Sequence, residues 1–177
     1  MHLYYIFENP AMKNLKYLII ALLLTGITTG HAQSKITTND ILKDYLSIKN
    51  ALATDNSKAA NGAAVKFTTD IKAVSVNDMD AKQKATWQKY SEKLRYDGEH
   101  IGESTVIAHQ REHFGSLSAN MYEVLKAFKT NSMPIYQQYC PMEKKTWLSE
   151  SATIKNPYLG STMLDCGRTT ETFKAAN

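Results

Sequence analysis

Two groups of side chains in this sequence have the types and spacing for metal or redox chemistry. The first is sulfur. Of the 2 cysteines, Cys140 has Met142 two residues after it, and Cys166 has Met163 three residues before it. Thiolate and thioether are soft ligands that select Cu(I) over hard cations, so Cys140, Met142, Met163 and Cys166 read as a soft-metal ligand set. The same cysteines read equally as a disulfide. Such a bond would close a loop of about 25 residues, worth roughly 3–4 kcal/mol in the chain-entropy model, and an exported chain meets the oxidising conditions that favour it. The residues leave both readings open, and a reducible pair can serve as either in turn. No Cys-x-x-Cys occurs, which argues against a thioredoxin-like motif, a zinc ribbon and a Cys-x-x-Cys-His haem site.

The second group is imidazole. His109 and His113 are four apart in a predicted helix, so their rings leave one face about one turn apart, a spacing that holds metals from a helix. Glu112 lies beside them and His100 a short break upstream. The string His109-Gln110-Arg111-Glu112-His113 is not His-Glu-x-x-His, so it is no zincin motif. The bland alternative is a histidine pair on a polar helix face with no ligand. Arg111 reads as a structural ion-pair partner for Glu103 or Asp165. Tyr136, Tyr139, Trp147 and Tyr158 read as core packing, or as a lid or cation–π face over the sulfur cluster. With no Gly-x-Ser-x-Gly and no phosphate-binding glycine loop, the chain reads as a binding protein and not an enzyme.

The elements that must position these groups are helices. Residues 38–131 contain no proline; Pro134, Pro141 and Pro157 all fall later. Asn39 can cap a first helix with Ile41, Leu42, Tyr45, Leu46, Ile48 and Leu52 at helical period. Asp55 or Ser57 starts a second, with Ala60, Ala63, Ala64, Phe67 and Ile71 on one face. Asn77-Asp78 opens a third through Trp87, Tyr90 and Leu94, with Gly98 and Gly102 marking a break. A fourth runs from about Glu103 to Lys129. The expected fold is all-α: an antiparallel bundle of about four helices followed by a compact Cys/Pro/Gly-rich segment, residues 133–167, within one domain spanning 33–177.

Lys13 and Lys16 precede an apolar run of about 8–11 residues, short of the ~20 that span a membrane, and Gly30-His31-Ala32 offers small residues to a signal peptidase. Residues 1–32 therefore read as a signal peptide, with Met12 as the start, and the mature chain as periplasmic and not membrane-spanning. A net charge of +4 with no Lys/Arg stripe makes nucleic acid a poor partner.

The strings Tyr139-Cys140-Pro141-Met142, Trp147-Leu148-Ser149, Ile154-Lys155-Asn156-Pro157-Tyr158-Leu159-Gly160 and Met163-Leu164-Asp165-Cys166-Gly167, with His109-Gln110-Arg111-Glu112-His113-Phe114 and Leu117-Ser118 ahead of them, resemble an uncharacterised exported domain of Bacteroidetes-type bacteria. That domain also occurs fused to the C-terminus of periplasmic adaptor subunits of copper/heavy-metal efflux systems. The resemblance covers about residues 38–170. One departure is the spacer Glu143-Lys144-Lys145-Thr146, which is shorter than the family's and lacks its glycine. The resemblance implies periplasmic handling of copper as a buffer, chaperone or efflux accessory, with an efflux adaptor as partner. Cu(I) on the sulfurs, with His109 and His113 as nitrogen donors, is the expected cofactor state. The competing expectation is an envelope interaction module with a permanent Cys140–Cys166 disulfide and no metal.

Overall fold

The computed structural model describes residues 36–176; the signal-peptide reading of residues 1–32 and the start at Met12 lie outside them. The described residues form α1 (Thr38–Ala53), α2 (Ser57–Ala73), α3 (Ala81–Glu103), α4 (Ile107–Phe128), β1 (Ile135–Cys140), β2 (Lys145–Ser149) and β3 (Arg168–Phe173), with a short 3-10 turn at Gly160–Thr162. None of these helices is long and apolar enough to cross a membrane.

Three of the four helices start where a side chain takes up otherwise unpaired backbone N–H groups; α4, which follows Val106, has no such cap. Thr37 and Asp40 form a reciprocal capping box at α1, Asn56 accepts from Ala59 N at α2, and Asp80 and Gln83 form a second box at α3. The caps expected at Asn39 and Asn77-Asp78 are thus replaced by Thr37 and Asp80. Each of these has an acceptor or donor partner three residues on, which is the geometry a box requires.

The expected break at Gly98 and Gly102 does not occur, because α3 continues to Glu103. These glycines are close-approach positions instead. A Cβ at Gly98 would press on Phe67 and on Thr68 Oγ1, and one at Gly102 on Val65, so their absent side chains let α3 lie against α2.

The all-α expectation is corrected by a 3-stranded antiparallel sheet of order β2-β1-β3. Lys129, in the left-handed conformation, ends α4, and Ile-Tyr-Gln-Gln-Tyr-Cys and Lys-Thr-Trp-Leu-Ser supply the β-branched and aromatic content that suits a half-buried sheet. The third strand, Arg168–Phe173, lies wholly beyond the expected 133–167 segment. The sheet is fastened to the bundle through α1 and α4. Tyr45 Oη on α1 shares a hydrogen bond with Ser118 Oγ on α4 (2.8 Å) and accepts from Leu148 N on β2 (3.0 Å). The rings of Tyr45, Phe114, Tyr158 and Trp147 follow one another at centroid distances of 5.3, 5.7 and 6.1 Å. Trp147 and Tyr158 are therefore core residues, as their packing reading expected.

Candidate metal centre

The α3–α4 connection is short, and the two helices run antiparallel, so residues equally far from it face each other. Gln110 fixes the connection. Its buried side-chain amide donates to Ser104 O (2.6 Å) and Ile101 O (3.2 Å), carbonyls that the end of α3 cannot pair within the helix, and shares its N–H groups with Ser57 O at the start of α2 (3.0 Å). His100 on the last turns of α3 is thereby brought against His109 and His113 on the first turns of α4.

His100, His109 and His113 can each offer one ring nitrogen such that the three atoms lie within 4.8 Å of one another. His109 and His113 have ring centroids 4.7 Å apart, as the four-residue spacing requires. His100 and His113 are stacked at 4.5 Å with an interplanar angle of 10°. Tyr96, one turn before His100, meets that ring edge-on at 4.4 Å.

Asp97 sets the orientation of His113. Its Oδ1 lies 3.1 Å from His113 Nδ1 and accepts from Ser116 Oγ at 2.7 Å. An ionised carboxylate only accepts, so this contact calls for the His113 tautomer in which Nδ1 donates and the Nε2 lone pair is left for a ligand. This is the carboxylate–histidine arrangement that supports metal-bound imidazoles. Asp97 is buried at 4 % exposure, so its charge is held against His113 and not dispersed in solvent.

The sulfur ligands expected from sequence lie elsewhere. Among the described residues only the three histidines gather as a group of His, Cys, Asp or Glu able to hold an ion; the cysteines are not part of it. Cys140, at the end of β1, is buried, and Cys166 is half-buried; both are free thiols. Asn156 anchors the backbone of Cys166. Its Nδ2 donates to Cys166 O (2.7 Å), while its Oδ1 accepts from Tyr158 N (2.8 Å) and Leu159 N (3.2 Å). The Cys166 thiol lies against that of Cys140, and burial first, then that contact, push its pKa up. Met142, in the β1–β2 turn, is 61 % exposed. Met163 is half-buried just after the 3-10 turn.

Arg111 pairs with neither Glu103 nor Asp165. It donates to Pro157 O (2.8 Å), Leu52 O (3.0 Å) and Asp55 Oδ1 (2.5 Å), while Asp55 Oδ2 accepts from Ser161 N (2.8 Å). The reason is positional: Arg111 points away from α3, toward the end of α1 and the 156–161 loop, where exposed carbonyls await a donor.

Sequence reasoning noted His100 but placed it in a break, and it did not single out Asp97. The signal was available. Leu94, Asp97, Gly98 and Ile101 continue one buried stripe of α3, and a carboxylate on such a stripe needs a partner.

A family model described as "Protein of unknown function (DUF3347)" matches residues 41–133. The matched stretch contains Asp97 and all three histidines and stops before β1, so Cys140 and Cys166 fall outside it. No curated protein and no solved structure gives a significant match.

Proposed function

The chain belongs to the DUF3347 family of proteins of unknown function, and we propose that it is a transition-metal-binding protein whose ligands are His100, His109 and His113. One observation carries this reading: three imidazoles from two helices converge within 4.8 Å, with His113 already oriented by buried Asp97. Imidazole donors suit copper, zinc, nickel and iron. Copper is the ion we propose, because Cu(II) heads the affinity order for such donors and because of the efflux-linked resemblance. A periplasmic role as buffer, chaperone or efflux accessory, with an efflux adaptor as partner, extends the proposal on that resemblance and on the exported-type N-terminus.

Capture requires a rearrangement. A metal bound to two imidazoles lies in both ring planes, and planes only 10° apart at 4.5 Å do not meet within bonding distance. His113 is held by Asp97, so His100 is the ring that turns.

The experiment is a competitive titration of Cu(II) and Zn(II) against a chromophoric chelator. One equivalent should bind to the parent protein and be lost from His109→Ala and His113→Ala. Binding that survives both changes would contradict the assignment.

The cysteines support a second reading of the late segment. A thiol pair in contact, with the Cys166 pKa raised and not lowered, is poorly prepared as a thiolate metal site. It is suited to closing as a disulfide that pins residues 156–166 to β1, as an envelope interaction module would use it.

A further inference from the structure

We infer that the histidine centre is an exchange site, in which the fourth coordination position is filled from outside the chain by water and is open to a small anionic or imidazole-type donor. The inference rests on the metal-binding reading above. Three observations support it. First, no fourth His, Cys, Asp or Glu atom joins the three imidazoles among the described residues. Structural zinc-type sites are closed by four protein ligands, whereas three protein ligands leave an exchangeable position.

Second, the carboxylate that touches the cluster is already committed. Asp97 Oδ1 engages both Ser116 Oγ and His113 Nδ1, and the residue is buried behind His113. Moving it onto the metal would release the imidazole that it holds.

Third, the site faces solvent. All three histidines are half-buried and Tyr96, packed on His100 and His113, is 54 % exposed. Neutral imidazoles do not offset the charge of a divalent ion, and Asp97 supplies a single negative charge. The centre therefore retains positive charge toward the open side, which favours an incoming anion. An acceptor's donor atom can enter there before an imidazole leaves, the sequence that direct metal transfer between proteins needs.

The test uses the full chain carrying Cys140→Ser and Cys166→Ser, loaded with Co(II), whose visible bands report coordination, and titrated with azide. The inference predicts a saturable one-to-one change in those bands, with Co(II) retained on ultrafiltration. Bound Co(II) whose spectrum is indifferent to azide overturns the inference and leaves the metal-binding reading standing. So does azide that strips the metal into the filtrate. A chain that takes up no Co(II), Zn(II) or Cu(II) overturns both.

Discussion

Asp97 Oδ1 stands 3.1 Å from His113 Nδ1, and this contact ties a buried carboxylate of α3 to the middle of the histidine cluster. It fixes which nitrogen of His113 faces the metal position. Replacing Asp97 with Asn removes the charge while keeping the shape. Affinity for Cu(II) and Zn(II) should fall about 10–100-fold, the usual cost of losing such a support. Chelator competition measures it; an unchanged affinity would mean that Asp97 is only a structural partner of Ser116.

Metal uptake should also depend on pH in one direction. Protons and metal compete for the same imidazole lone pairs, so affinity should fall as the solution is acidified across the range from about pH 8 to 5 in which histidines titrate. A binding isotherm recorded at several pH values checks this. Affinity that rises on acidification would contradict a histidine site.

The Arg111–Asp55 clamp carries its own pH signature. Hydrogen bonds from Ser161, then the Arg111 guanidinium, lower the Asp55 pKa from 3.8 to about 2. Its folded pKa lies below its unfolded one, so its contribution is fully present above about 4 and is lost as pH falls toward about 2. Urea midpoints of the parent should therefore drop between pH 5 and pH 2.5 more than those of Asp55→Asn. Equal slopes would show that the clamp contributes nothing through ionisation.

Gly160 makes that clamp possible. Its φ is +56°, and a Cβ there would overlap the Asp55 carboxylate and the Arg111 guanidinium. Gly160→Ala should lower stability by about 1–3 kcal/mol through strain and displaced partners. Chemical denaturation reads this directly, and an unchanged midpoint would mean that the loop relaxes freely.

Much of the bundle was legible because the apolar residues of α1, α2 and α4 repeat at helical period and no proline interrupts them. The sheet was not, since its strands are short and the Pro/Gly punctuation around them equally describes a coiled loop. His109 and His113 could be paired from spacing alone. Their third partner could not, because Gly98 and Gly102 look like a helix break until Phe67 and Val65 are seen against them. The cysteines drew the metal reading toward sulfur by composition. Cys166 reaches Cys140 through the fold of the 156–166 loop, whose end Asn156 holds at Cys166 O, and no local pattern announces that fold.

Those cysteines give a further prediction. Under mild oxidant, Cys140 and Cys166 should form an intramolecular disulfide, seen as lost free thiol in a monomeric protein, and stability should rise by roughly 3 kcal/mol over the reduced form. Oxidation only to dimers would contradict their placement side by side. The bond should not alter metal uptake, because neither cysteine belongs to the histidine group.

The central claim is that nitrogen, not sulfur, holds the metal. X-ray absorption on the reduced, copper- or zinc-loaded chain addresses it most directly. The account predicts about three imidazole nitrogens at ~2.0–2.1 Å, with the outer-shell scattering of histidine rings and a light atom completing the shell. A sulfur shell near ~2.3 Å would place the ion on Cys140 and Cys166 and contradict the account.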